Sequence, residues 1–162
     1  MSREILEKAL EAQLAGNLTL AKVLYMKAIH YGSKDPAAHA NLGFILKEEG
    51  FLEKAAVETF KALKIDPTNT LFLANMGGIC LELRSYKECI DYSKKALEKD
   101  PSSRIALKNL ICAYTETGNI QHALEFKLRS LRLQPSNAIN TTKAGEILLA
   151  QNKTDQALKA SI

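Results

Sequence analysis

A small residue returns every 34 positions in this chain. Gly16, Gly50 and Gly118 share one register, Asn152 continues it, and Arg84 alone interrupts it. Ala21, Ala55, Cys89, Ala123 and Ala157 form a second ladder, and Ala28, Ala62, Ala96 and Ser130 a third. Pro67, Pro101 and Pro135 form a fourth. Four ladders in one register impose a repeat architecture. A unit of this length is one supersecondary element that cannot bury its apolar face alone, so it must stack on its neighbours.

Each unit reads as a helical hairpin. In the second, Pro36 opens a helix whose apolar positions include Leu42, Phe44, Ile45 and Leu46. Proline suits a first helical turn because the N–H it lacks had no partner there. Gly50 ends that helix, since glycine reaches the left-handed conformation of a C-terminal cap without steric cost and asparagine is the next best choice. Arg84 at the equivalent place is expected to carry roughly 1–2 kcal/mol of strain at positive φ, unless its turn is built differently. A second helix, about Glu53 to Lys64, places Ala55 and Ala62 two turns apart on one face, where small side chains let two helices approach closely. Asp66-Pro67, Asp100-Pro101 and Gln134-Pro135 close successive units, because proline cannot continue a helix without losing a hydrogen bond and clashing.

Asn41-Leu42-Gly43, Gly50, Ala55, Ala62-Leu63 and Asp66-Pro67 together resemble a tetratricopeptide repeat. Asn75-Met76-Gly77, Tyr86, Cys89, Ala96-Leu97 and Asp100-Pro101 make the next, and Asn109-Leu110, Tyr114, Gly118, Ala123 and Pro135 another. The resemblance covers nearly all of 1–162, expected to be a single domain: a weaker opening unit at about 2–35, clear units at 36–69, 70–103 and 104–137, and a partial one from 138. It implies an all-α fold, an α-solenoid of antiparallel helix pairs wound as a right-handed superhelix. Departures from the family are visible. There is no tryptophan, and His39, Leu73 and Leu107 stand where one is frequent. The opening unit has Lys8-Ala9 in place of Leu-Gly, and Ser33 in place of a closing proline. Because Ile162 falls inside a second helix and a solenoid end needs a polar cap, the chain is expected either to continue or to have this edge covered by another molecule.

Composition narrows the function. The net charge is +4, with 14 basic and 14 acidic residues in 1–103 and 8 and 4 in 104–162. That mild excess lacks the concentrated basic stripe of a nucleic-acid binder. No apolar run approaches the roughly 18 residues of a membrane span, and the charged start Met1-Ser2-Arg3-Glu4 does not read as a signal peptide. A cytoplasmic protein is expected. Cys80, Cys89 and Cys112 match neither a disulfide framework nor a zinc site. Cys80 and Cys89 fall where other units place Leu46 or Tyr114, and Ala55 or Ala123, so they read as core residues; a redox contact across one hairpin is the lesser reading. His30, His39 and His122 lie in three different units with no paired spacing. No phosphate-cradling glycine loop is present either. The expectation is a protein that is not an enzyme and needs no cofactor or metal.

In tetratricopeptide arrays the first helix of each unit lines the concave side, and the resemblance directs attention there. Asn41, Asn75 and Asn109 recur on this helix at 34-residue spacing, and Lys143 takes the next place. Neighbouring inner helices sit about 8–10 Å apart and an extended peptide advances about 3.3 Å per residue, so the ladder would meet such a peptide at about every third residue. An amide offers donors and an acceptor together and can hold a backbone irrespective of its side chains. This resembles the asparagine ladder in the repeat domains of O-linked N-acetylglucosamine transferases; equally, asparagine is common at this place in the family. Beside it run Leu71, Ile105 and Ile139, either a row of exposed hydrophobes marking a contact surface or packing between inner helices. Glu48, Glu82 and Glu116 form an acidic ladder one turn on, suited to a basic ligand or to solvent. The lysine, asparagine and arginine clamp by which some family members hold acidic chaperone tails is absent. Its places carry Leu6, Leu10, Asn41, Leu71 and Asn75 in one register, and Ala40, Phe44, Asn75, Ile105 and Asn109 in the next.

The sequence therefore predicts a non-catalytic scaffold that binds a protein or an extended peptide in the concave groove. Two alternatives stay open: the N-terminal recognition arm of a larger enzyme such as a glycosyltransferase or sulfotransferase, and head-to-tail self-association through the last unit.

Overall fold

The computed structural model describes residues 2–133, and these form eight α-helices. They are α1 (Ser2–Leu14), α2 (Leu18–His30), α3 (Pro36–Glu48), α4 (Leu52–Ile65), α5 (Thr70–Glu82), α6 (Tyr86–Lys99), α7 (Arg104–Glu116) and α8 (Ile120–Arg132). They pair as four antiparallel hairpins, α1 with α2, α3 with α4, α5 with α6 and α7 with α8. The partial unit from 138, with Ile139, Lys143, Asn152 and Ala157, lies outside the described residues, as does Pro135.

The turn inside each hairpin is one structure used four times. At the first, Gly16 N–H donates to Gln13 O and Asn17 N–H to Ala12 O; at the second, Gly50 donates to Lys47 O and Phe51 to Leu46 O. Thr115 and Tyr114 carbonyls receive the same pair of bonds from Gly118 and Asn119. Satisfying the last helical carbonyls in this way needs a left-handed residue just past the cap. Gly16, Gly50 and Gly118 supply it at φ of 77, 82 and 72°. Arg84 makes the same bonds, with its own N–H on Leu81 O and that of Ser85 on Cys80 O, and it does so at φ 59°. The third turn is not built differently; the arginine bears the strain.

Between hairpins the chain uses polar side chains. Asp35 Oδ1 accepts from Ala37 N–H at 2.8 Å and so caps α3, while Asn69 Oδ1 accepts from Leu71 and Phe72 N–H to cap α5. Such caps satisfy N–H groups that have no partner within the helix. After α2, where no proline closes the unit, Gly32 at φ 76° ends the helix instead.

Helix pairs are drawn together by small residues. Ala21, Ala28, Ala55, Ala62, Cys89 and Ala96 have no exposed surface. In the two middle hairpins the approach is closer still. A Cβ at Gly43 would collide with Thr59 Oγ1, and one at Gly77 would lie 2.5 Å from Ser93 Oγ. Those two hydroxyls are buried without a hydrogen-bond partner among the described residues, so Thr59 and Ser93 serve there by being small.

Among the odd-numbered helices α3 touches α5 and α5 touches α7, whereas α1 and α3, like consecutive even-numbered helices, make no comparable contact. A row of helices in mutual contact beside a splayed row defines a curved solenoid. The odd helices form its inner side and the even helices its outer side. One apolar cluster joins the second, third and fourth hairpins, and another ties the first hairpin to the second through Ala12, Tyr25, Ile45 and Leu46.

Arg84→Gly is predicted to stabilise the protein by about 1 kcal/mol. Relief of left-handed strain outweighs the added freedom of the unfolded chain. Urea denaturation should show a higher midpoint with an unchanged slope, and a lower midpoint would show the arginine to be unstrained.

Candidate functional site

The inner helices carry the asparagine ladder, and its three rungs are not equivalent. Asn109 on α7 is only 5% exposed, and its Nδ2 donates to the backbone carbonyl of Ala74 on α5 at 2.9 Å. Its amide ties two neighbouring units together and leaves Oδ1 as the group it can still offer. Asn41 on α3 is half-buried and donates from Nδ2 to Tyr25 Oη at 2.9 Å. Tyr25, 1% exposed, in turn donates to Gln13 Oε1 at 2.8 Å, and burial pushes its phenol up. Asn75 on α5 is half-buried and makes no side-chain hydrogen bond among the described residues. It is the rung with its whole amide uncommitted.

Leu71 and Ile105 flank these rungs with 50% and 43% of their surface exposed, more than packing between inner helices would leave. In the second unit their place is taken by Ala37. Its small side chain leaves an opening of about 220 Å³ between α1 and α3, lined by Leu6, Leu10, Tyr25, Ala38 and Asn41 among others. Sequence reasoning missed this opening. The signal for it was Ala37 in a row of Leu71 and Ile105.

The acidic ladder is partly neutralised from within. Lys47 reaches Glu48 at 2.8 Å on its own helix and Glu82 at 3.1 Å on α5. Burial pulls the Lys47 ammonium down, yet the hydrogen bonds and charges of the two glutamates outweigh it and the net direction is up. Glu116 meets the Tyr86 hydroxyl at 3.5 Å. Glu48 and Glu82 therefore already share one cation that bridges two inner helices, which halves the charge they present to a ligand.

Outside the groove, His39 Nδ1 lies 2.7 Å from Glu58 Oε2, and Lys61 donates to Glu58 Oε1 at 2.7 Å. Burial raises the Glu58 carboxyl, but these two partners outweigh it and hold it below its ordinary range. Among the described residues no group of histidine, cysteine, aspartate and glutamate is placed to hold a metal ion, and no helix is long and apolar enough to cross a membrane.

Cys80, Cys89 and Cys112 are all free thiols. Burial pushes Cys80 and Cys89 up to about 11. The nucleophile is the thiolate, so in the folded protein at neutral pH both are predicted to resist a thiol-modifying reagent and to react only on unfolding. Mass spectrometry after timed alkylation reads this directly. With a pKa raised from 9.0 in the unfolded chain to about 11 in the fold, each thiol contributes stability that is full below pH 9 and lost as pH rises through 11.

Asn109→Ala is predicted to destabilise the protein by about 1 kcal/mol, because it removes the buried hydrogen bond that ties α7 to the Ala74 carbonyl of α5. Asn75→Ala should change stability by no more than about 0.5 kcal/mol, as expected away from a bonded site. Parallel urea titrations test both, and equal effects would show the rungs to be equivalent after all.

No family model and no curated protein matches the sequence. Solved structures do. The chain is similar to the APC/C hetero-tetramer Cut9–Hcn1, with a TM-score of 0.78 and 18% identity over 89% of this chain and 29% of that one. It is similar to an O-GlcNAc transferase mutant of Thermobaculum terrenum, with a TM-score of 0.75 and 21% identity over 81% of this chain and 26% of that one. A tetratricopeptide repeat protein from Parabacteroides merdae superposes with a TM-score of 0.73 and 21% identity, over 91% of this chain and 58% of that one. The chain thus spans well under a third of the length of the first two. Four hairpins at a 34-residue period, stacked as in these structures, make this chain a tetratricopeptide-repeat solenoid in fold.

Proposed function

We propose that the chain is a non-catalytic scaffold that holds a protein partner, presented as an extended segment, along the inner face of the solenoid. The observation that carries this reading is Asn75: a half-buried amide with no internal partner, set between the exposed side chains of Leu71 and Ile105. A backbone laid along this face would find both a donor and an acceptor at Asn75, the free Oδ1 of Asn41, and apolar surface at about every third residue. Asn109 contributes by fixing the distance between α5 and α7, with its Oδ1 as a secondary contact. Lys143, expected to continue the ladder, belongs to the same proposal. Glu48, Glu82 and Glu116 line the rim and favour basic side chains to the extent that Lys47 leaves them charge. The likeness to part of an O-GlcNAc transferase is a likeness of fold, and it fits a recognition arm of a larger enzyme no better than a free-standing scaffold.

The test is an affinity capture with the wild type beside an Asn41→Ala/Asn75→Ala variant. Asn109 is left intact because its loss would weaken the fold. A partner captured by the wild type and lost by the variant, at unchanged circular dichroism, is the expected result. A partner retained by both would remove the inner face from this role.

A further inference from the structure

We propose that the groove between α2 and α4, on the outer side of the solenoid, is a docking site for an aromatic side chain of a partner protein. The groove encloses about 510 Å³. Leu42 and Leu46 of α3 line it, together with Met26, Phe51 and Val57. The last three have 53%, 47% and 54% of their surface exposed.

The repeat supplies its own comparison. Moving along by 34 residues carries Leu46 to Cys80 and then Tyr114, and Glu58 to Tyr92 and then Phe126. At the later two boundaries these aromatic side chains pack onto the core. Phe126 stacks on Tyr114 with ring centroids 5.8 Å apart, so a ring stands over the residue equivalent to Leu46. At the first boundary no ring does so. Glu58 is instead turned to His39, the residue equivalent to Leu73 and Leu107, and to Lys61. A polar pair has replaced an apolar one, and the opening here is about 510 Å³, against about 230 Å³ between α6 and α8, where the Phe126 ring occupies part of the equivalent space.

The rim follows the same division. Val57 is succeeded in the next units by Asp91 and Glu125, and Phe51 by Ser85 and Asn119. These outward places are polar where an aromatic ring narrows the groove and apolar where none does. Exposed apolar surface gathered around a concavity marks a contact site rather than scatter, and aromatic anchors seated in such pockets dominate protein interfaces. Lys54 stands with Nζ 5.2 Å from the Phe51 ring and has no carboxylate partner among the described residues. It offers a donor to a tyrosine hydroxyl or to the backbone carrying the ring. The site lies on the opposite face from the asparagines, so it does not depend on the function proposed for them.

The experiment uses two variants. One, His39→Leu/Glu58→Tyr, restores the residue types of the third unit and closes the groove from within. The other, Phe51→Ser/Val57→Asp, changes only exposed side chains and keeps the fold if the first does not. p-Cresol, the tyrosine side-chain analogue, is titrated into each protein while amide shifts are followed by NMR. Peptides selected from a displayed random library on the wild type are then measured against all three. Expected are saturable shifts around Met26, Leu46 and Val57 in the wild type alone, and selected peptides that carry an aromatic residue and bind each variant at least tenfold more weakly. Absence of p-cresol shifts in the wild type would overturn the proposal, as would peptides that lack an aromatic residue or bind the variants equally. Sedimentation velocity provides the remaining arm. A concentration-dependent dimer of the wild type, lost in both variants, would make the occupant a second copy and overturn the assignment to a partner.

Discussion

Close approach of paired helices is the constraint on which this structure depends. Ala21 and Ala28 in the first hairpin, Ala55 and Ala62 in the second and Cys89 and Ala96 in the third are fully buried, and Gly43 and Gly77 have no room for a Cβ. With no large side chain between them, the helices of a pair meet nearly backbone to backbone. The large apolar residues, such as Ile45, Ile79 and Leu107, then join clusters that run across neighbouring hairpins. Stability becomes a property of neighbours. A repeat of small residues thus explains both the rigid hairpin and its inability to stand alone.

The same constraint explains why one boundary differs from the rest. A repeat fixes where side chains point but leaves their size free, so a single change alters one inter-unit seam and no other. Ala37 opens the inner side between α1 and α3, and Glu58 opens the outer side between α2 and α4. Both changes belong to the second unit, and both openings flank α3. The first boundary therefore carries the larger outer opening of the two described, about 510 Å³ against about 230 Å³ between α6 and α8, where the Phe126 ring takes part of the space.

Polar groups inside the array are few and each has a structural consequence. Asn109 and Tyr25 spend their hydrogen bonds between helices, and Lys47 bridges α3 and α5 through Glu82. These bonds set register between units that apolar packing alone would let slide. Where a buried polar group lacks a partner, as at Thr59 and Ser93, small size was the quantity required. Arg84 is the comparable case for backbone: the turn is imposed by its neighbours, and an unsuited residue adopts it at a cost.

The sequence by itself determined the period, the hairpin and the solenoid class. Those rest on local physics that every unit repeats: glycine at a left-handed cap, proline at a helix end, alanine at a close crossing. It also located the asparagine ladder on the inner helices, and it anticipated the conformational conflict at Arg84. Tertiary structure alone decided that Asn109 is consumed by Ala74 while Asn75 is free, and that Lys47 shares its charge between two rungs of the acidic ladder. It alone showed that His39 and Glu58 stand where an apolar pair stands elsewhere, with an open groove as the result. Register tells which residues are equivalent by position, but hydrogen bonds and cavities depend on what the adjoining unit presents. That information lies 34 residues away, in the size and polarity of a different side chain.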